Sequence, residues 1–423
     1  MSDNINSLDI PLSILGGLSA RTFLADYWQK KPLLIRAGLT DFDVPLDADE
    51  LAGMAMENEV ESRIVIEKGQ VENSDKTLPW HTLKGPFTEE DFADLPEQEW
   101  TLLVQAVDHW IPEIQALKER FHFLPSWRLD DVMASYATTG GSVGPHYDQY
   151  DVFLVQVAGK RHWQVLAPTN YKDAHLANTE LHILENFTPM DYMDWEVETG
   201  DILYIPPNFA HYGRALDNDC MTYSIGFRAP SMQDALRGIS DKICEVVDDK
   251  QRFAAPSDND EPHHAEIHSS DISYLQTELN KLINKPDLLA DWLANHMSEV
   301  KYPEYHADLN QADTEQNLQA AIDGVLFFRP GDARICYRQH IQHNHIKNSI
   351  IEKNDDTEAK LSLYCNGSHI ELTAELESLI QVICDQSEFD FSGMDIDKHK
   401  DILPMLSFLI SKQGLIPQQP SDD

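Results

Sequence analysis

His146 and Asp148 stand two apart in the stretch Gly140–Trp163, GGSVGPHYDQYDVFLVQVAGKRHW. In an extended chain, residues i and i+2 leave the same face. An imidazole and a carboxylate on one face are two corners of the 2-His-1-carboxylate site that holds non-haem iron(II) and leaves positions open on the opposite side. The pair alone carries little weight. HxD recurs at His306/Asp308 and His399/Asp401. Neither of these follows a glycine-rich turn into a strand, and both read as solvated surface pairs. His211, in the segment ETGDILYIPPNFAHYG, lifts the first pair above the other two. In that segment Gly200-Asp201 makes a turn and Ile202–Ile205 reads as a strand. Pro206-Pro207 ends it, because proline cannot continue a central ladder. His211 then opens the next strand, and the intervening strands of a barrel could return it beside His146 and Asp148. Zinc would prefer a closed tetrahedral set or three histidines, and calcium would need more oxygens.

The elements that must position these residues change character along the chain. The N-terminal part mixes helices and short strands. Ser19 caps a helix with Phe23, Leu24, Tyr27 and Trp28 on its apolar face, ended by Pro32. Leu33–Ile35 and Ser62–Glu67 read as strands, and Asp47–Met56, Glu89–Leu95 and Trp100–Trp110 as helices. From Asp130 to Arg228 the pattern becomes all-β: Val132–Ala137, Val152–Val157, Trp163–Ala167, Asp201–Ile205 and Met221–Phe227 alternate with Gly, Pro, Asn and Asp turns, which predicts a sandwich or barrel. Gln251–Asp271 is an acidic, proline-containing linker candidate. Ile272–Met297 carries two apolar helical stripes broken at Pro286. Two short helices cannot bury both alone, so a neighbouring domain or a second subunit is expected. Beyond Ala307, helices at Glu315–Ile322, Leu376–Cys384 and Ile402–Lys412 surround a hairpin turned at Asn366-Gly367, a winged-helix pattern.

Composition sets the outer bounds. The 423 residues suggest two to four domains, and 42% hydrophobic content suffices for real cores. No apolar run is long enough for a membrane span, and no basic segment precedes an apolar core at the N-terminus, so no signal peptide is expected. Five scattered cysteines without a CxxC argue for free thiols in a reducing cytoplasm. A net charge of −40 disfavours direct nucleic-acid binding and favours a basic partner.

HYD followed by PPNFAH on a short-strand barrel resembles the JmjC branch of the Fe(II)/2-oxoglutarate oxygenases. Together with FLADYWQKKPLLIR, ELAGMAMENEVESR, TLLVQAVDHW and YSIGFRAP, the stretch GGSVGPHYDQYDVFLVQVAGKRHW is similar to the bacterial ribosomal oxygenases, which hydroxylate an arginine of a large-subunit ribosomal protein. The similarity is dense over roughly residues 20–230 and looser beyond. It implies an α+β chain: a double-stranded β-helix oxygenase domain with N-terminal helices (1–230), a linker and helical dimerisation region (231–306), and a winged-helix-like domain (307–423). It implies Fe(II) at His146, Asp148 and His211, with 2-oxoglutarate and O2 as cosubstrates in a cytoplasmic homodimer. The family holds the distal carboxylate of 2-oxoglutarate with a basic residue on the strand after HxD. Arg161 lies at that offset, and a guanidinium grips a carboxylate bidentately. Lys160 is the competitor, and Ser135 could add a hydroxyl.

Two alternatives stay open: a histidine hydroxylase acting on another ribosomal protein, and a non-catalytic cupin-like metal-binding protein. Tyr147 inside HxD and the loop Asn170–Met193 depart from the family pattern. Tyr223 and Ser224 read as barrel packing, His162 as a packed or surface residue, and Cys220 as a small hydrophobe. His340, His343, His345 and His263-His264 read as solvated loop histidines.

Overall fold

Gly159 carries the chain from one sheet of a barrel to the other. Its φ is +63°, and an added Cβ would stand 2.7 Å from the Asp219 backbone. Both features exclude a side chain at this corner. The computed structural model describes residues 7–67, 80–168, 173–175, 182–184, 187, 193–254, 265–340, 359–394 and 400–418. The Asn170–Met193 loop lies largely outside them, and His263-His264, His343, His345 and His399 lie wholly outside. The chain divides into two units, Met1–Ala229 and Pro230–Asp423.

In the first unit the strands are β1 (Leu33–Ile35), β2 (Ser62–Glu67), β3 (Trp80–Lys84), β4 (Trp100–Val104), β5 (Leu129–Ala137), β6 (Val152–Ala158), β7 (Lys160–Leu166), β8 (Asp173–His175), β9 (His182–Leu184), β10 (Met193–Glu198), β11 (Ile202–Ile205), β12 (Ala210–Ala215) and β13 (Cys220–Phe227). The helices are α1 (Ala20–Asp26), α2 (Ala48–Met54), α3 (Glu89–Ala93) and α4 (Pro112–Glu119). Among the described residues, one large sheet runs β1-β11-β6-β13-β5-β4-β2-β3 and a smaller one runs β10-β7-β12, with β8-β9 a separate pair. Every pairing is antiparallel. The two sheets close on each other as a double-stranded β-helix. Val152, Leu154, Leu203 and Ile205 of the large sheet share a core with Trp163, Val165 and Val197 of the small one.

The large sheet is covered on its other face as well. Phe23, Leu51, Ile114, Leu117 and Phe121 pack on Phe153, Val155, Tyr204, Tyr223 and Ile225. Two covered faces explain why β6 and β11 read as continuous apolar runs rather than alternating ones. They also place Tyr223 in the helix-side core. Trp100–Trp110, expected as a helix, is instead β4 followed by a short 3-10 turn at Val107–His109. Its Leu102 and Val104 face the helices while Leu103 faces the barrel. In a strand with both faces buried, apolar residues fall at every phase, and helix and strand cannot be told apart by period.

The second unit holds α5 (Met232–Val246), α6 (Ser269–Ile283), α7 (Pro286–Met297), α8 (Gln311–Ile322), α9 (Glu377–Asp385) and α10 (Ile402–Ser411). Its strands are β14 (Phe327–Phe328), β15 (Ile335–Gln339), β16 (Lys360–Cys365), β17 (Ser368–Thr373), β18 (Glu388–Phe389) and β19 (Ile416–Pro417). The β16–β17 hairpin turns at Asn366 and Gly367, both with positive φ (48° and 76°), as Asn-Gly predicts. Leu361 and Leu363 of the hairpin pack with Ile380 and Ile383 of α9 and with Met405, Leu406 and Leu409 of α10, a winged-helix core. Arg338 and Tyr364 bind α7 through Asp287 and Asp291. Neither α5 nor α6 contains a buried residue, yet Met232, Leu236, Ile272, Leu275 and Leu279 are apolar and exposed. Among the described residues, no helix is long and apolar enough to cross a membrane.

Asp151 anchors the start of β6. It is 3% exposed and accepts from Tyr204 Oη (2.6 Å) and Gln29 Nε2 (3.1 Å). Burial raises its pKa, outweighing the hydrogen bonds from Tyr204 and Gln29. A carboxyl with a raised folded-state pKa binds its proton more tightly in the folded chain, so its ionisation opposes folding at neutral pH and this penalty fades as pH falls through the folded pKa. Asp151→Asn removes that penalty. The stability of the variant relative to wild type, measured by urea unfolding, should therefore be greatest near pH 7 and decline on acidification.

Candidate metal centre

The two histidines meet through their backbones. His146 N donates to His211 O (3.0 Å) and His211 N donates to His146 O (2.7 Å). This isolated antiparallel bridge lies outside the named strands at its His146 end. HYD therefore does not lie on a continuous strand, as the i, i+2 spacing suggests. It forms a loop ahead of β6, pinned at His146 and again where Asn208 N donates to Asp148 O (2.7 Å). Asn208 takes a φ of +64°, so the PPNFAH turn curls back toward Asp148 before β12 begins. Gly144, with φ +82°, faces Ile183, which an added Cβ would approach to 2.8 Å.

The side chains converge. One potential ligand atom from each of His146, Asp148 and His211 lies within 4.8 Å of the others. The imidazole centroids are 4.3 Å apart and His211 Nε2 is 3.6 Å from Asp148 Oδ2. His146 Nδ1 sits 2.9 Å from Gly144 O, and His211 Nδ1 sits 3.0 Å from Phe209 O. A carbonyl only accepts, so each Nδ1 carries a proton, which leaves Nε2 as the ring atom able to bind a metal. Burial, reinforced by His146, lowers the His211 pKa to about 4, so this ring is neutral at physiological pH. Two imidazoles that turn Nδ1 to a backbone carbonyl, together with Asp148, suit a divalent transition metal.

β7 alternates between barrel and solvent. Lys160 points outward and pairs with Glu198 at 3.3 Å, with more than half its side chain exposed. Arg161 points inward and is 3% exposed. Its Cα partners are Val197 and Ala215, and its guanidinium lies over the Trp163 ring at 5.7 Å. Arg161 Nε and Nη2 have no hydrogen-bond partner among the described residues. A buried unpaired guanidinium is costly, and a carboxylate is the group that would satisfy it. Ser135 is buried and donates to Thr222 O at 3.2 Å. His162 lies on the outer side and pairs with Asp194, while Cys220 is buried beside Gln156 and Ala137. His340 bonds Ser362 Oγ at 2.8 Å.

Tyr150 was missed in the sequence, although it lies only two residues past Asp148. The residue is 41% exposed, yet its phenol has its pKa raised by desolvation and by Asp148 and Asp131, with Asp130 and Arg63 nearby. The hydroxyl stays protonated and can donate at the mouth of the site. Asp131, 5% exposed, lies on β5.

The comparisons agree with this geometry. Residues 116–235 match the JmjC domain, and residues 281–415 match a ROXA-like winged helix. Fold and site together define a JmjC oxygenase, an Fe(II)- and 2-oxoglutarate-dependent dioxygenase. The ribosomal protein uL16 3-hydroxylase of Escherichia coli is 36% identical over 332 residues, covering 76% of this chain and 85% of that protein. The X-ray structure of E. coli ycfD matches with a TM-score of 0.76 at 31% identity, over 95% of this chain and 98% of that one. A structure of YcfD, described as a ribosomal oxygenase, in complex with cobalt and 2-oxoglutarate matches with a TM-score of 0.74 at 30% identity, over 94% and 98%. The chain belongs to the JmjC ribosomal oxygenase family.

Cobalt(II) titration followed by calorimetry tests the cluster. Wild type should bind one ion per chain. His211→Ala should lose more than the roughly 10–100-fold in affinity that removal of an outer-shell partner costs.

Proposed function

We propose that this protein hydroxylates an arginine side chain of a basic large-subunit ribosomal protein. The observation that carries the cosubstrate half of this reading is the buried Arg161 guanidinium, its Nε and Nη2 without a partner among the described residues, inside the barrel that bears the His146–Asp148–His211 cluster. In the proposal these three residues hold Fe(II), and Arg161 grips the distal carboxylate of 2-oxoglutarate, with Ser135 beside it. When bound, iron would activate O2, which supplies the oxidising power: one oxygen atom goes into an unactivated C–H bond and the other into the succinate formed as 2-oxoglutarate is oxidised with loss of CO2. The chain contributes orientation: histidine tautomers fixed by Gly144 and Phe209, and a barrel interior lined by apolar side chains such as Leu154, Val165 and Ile205.

Arginine is favoured over histidine as the target by the mouth of the site. Asp131 stands near the Tyr150 phenol beside Asp148, an acidic and aromatic edge suited to a guanidinium, while Asp130 already pairs with Arg228 at 3.0 Å. The relative named uL16 3-hydroxylase supports a ribosomal substrate. The net charge of −40 would draw a basic protein toward the enzyme. Mass spectrometry of ribosomal proteins from a deletion strain is the test. A single arginine should lack one oxygen atom, and the purified enzyme should restore it. Loss from a histidine with every arginine unchanged would select the histidine hydroxylase instead. An absence of succinate release with any ribosomal protein would select the non-catalytic reading.

The same proposal places the enzyme in the cytoplasm as a homodimer organised as 1–230, 231–306 and 307–423. The exposed apolar residues of α5 and α6 support the dimer: Leu236 is 68% exposed and Ile272 56%. Leu275→Asp combined with Leu279→Asp should convert a dimer to a folded monomer in sedimentation equilibrium. A monomeric wild type would overturn this part.

A further inference from the structure

We propose that Thr101 is a positioning residue for the cosubstrate, its hydroxyl completing the polar end of the barrel at which Arg161 acts. The inference rests on the reading of Arg161 as the carboxylate anchor. β4 sends Leu102 and Val104 to the helix-side core and Leu103 into the barrel. Thr101, two residues from Leu103, therefore also faces inward. It is 1% exposed, and its Oγ1 has no hydrogen-bond partner among the described residues.

Its location follows from register. Thr101 is the Cα partner of Ala137 on β5. Ala137 packs with Ala215 and Cys220, and Ala215 is the Cα partner of Arg161. Small side chains thus separate the Thr101 hydroxyl from the guanidinium. Trp163 shares the same interior. It is 6% exposed, its Nε1 also lacks a partner among the described residues, and its ring lies 5.7 Å from the Arg161 guanidinium and 5.8 Å from the His211 ring. A ligand reaching from the metal cluster to Arg161 passes this indole.

The neighbouring polar side chains differ. Thr222 Oγ1 donates to Gln156 Oε1 (3.0 Å), Gln156 Nε2 donates to Ala158 O (2.7 Å), and Ser135 donates to Thr222 O (3.2 Å). Among the described residues, the barrel interior therefore contains one internally satisfied set, and Arg161, Trp163 and Thr101 stand outside it with unsatisfied donors. Buried donors are almost always paired. A tail carboxylate offers acceptor sites for the hydroxyl as well as for the guanidinium.

The test uses the full-length protein loaded with Mn(II). Two chelating ligands are titrated by calorimetry: N-oxalylglycine, the amide isostere of 2-oxoglutarate with its tail carboxylate, and oxalate, which lacks the tail. Thr101→Val should weaken N-oxalylglycine about five- to tenfold, the range of one lost hydrogen bond, and leave oxalate unchanged. Thr101→Ser should restore the affinity. Because valine removes a buried unsatisfied hydroxyl at nearly constant volume, the ligand-free melting temperature of Thr101→Val should equal or exceed that of wild type. Unchanged N-oxalylglycine binding overturns the proposal, with ordered water then the partner of the hydroxyl. Equal weakening of both ligands, or a lowered ligand-free melting temperature, overturns it in favour of a structural role. Arg161→Met separates the two levels: if it binds N-oxalylglycine as tightly as wild type, the reading of Arg161 fails irrespective of Thr101.

Discussion

The reciprocal backbone bridge between His146 and His211 is the constraint on which the site depends. Two hydrogen bonds, 3.0 and 2.7 Å long, join residues far apart in sequence and set their Cα positions before any side chain is considered. The Nδ1 contacts to Gly144 and Phe209 then fix the ring orientations. Asp148 needs no strand of its own, because Asn208 N holds its carbonyl. The geometry of a metal centre is thus written into backbone hydrogen bonds, with the ligand atoms within 4.8 Å of one another. Such preorganisation lowers the conformational entropy that binding must overcome.

Apolar side chains pack on both faces of the large sheet around this bridge. The large sheet is buried on its helix side by Phe23, Phe121 and their neighbours and on its barrel side by Trp163 and Val165. Gly213 lets the Trp163 ring lie flat against β12, since a Cβ there would approach the indole to 2.5 Å. In such an interior a charged group without a partner is a large penalty. The guanidinium of Arg161 is therefore informative in a way that an exposed lysine is not. Lys160, one residue away, is salt-bridged to Glu198 at the surface, and such pairs contribute little.

How much of this could be read from the sequence depended on whether a residue's environment was local. His146, Asp148 and His211 were visible because glycine, proline and the strand pattern frame them. The Asn-Gly hairpin and the Pro286 break were visible for the same reason. Trp100–Trp110 was misread because a strand buried on both faces has no period, and with it went the inward orientation of Thr101. Lys160 and Arg161 could be ranked by chemistry, but only the β7 register shows which one the barrel encloses. Tyr150 and Asp131 belong to separate elements, and no linear spacing announces that they meet beside Asp148. That Asp148 lies on a pinned loop was equally hidden, because Asn208 supplies the pin from a distant turn.

The strongly acidic composition and the acidic mouth act over different ranges, and only one can select a side chain. At physiological ionic strength charges beyond about 8 Å are largely screened, so a net charge of −40 raises the encounter rate of any basic protein alike. Selection must come from groups within contact distance. There the site is not simply negative: Arg63 lies close enough to Tyr150 to oppose the effect of Asp148 and Asp131 on its phenol. With a resident cation in the mouth, a lysine ammonium would gain little from charge alone. A planar guanidinium presents several donors in a fixed fork, and can use separated acceptors such as the Asp131 carboxylate and the Tyr150 oxygen at once. In the proposed reading, discrimination at this mouth is a matter of hydrogen-bond geometry, with the acidity of the whole chain governing only how often a substrate arrives.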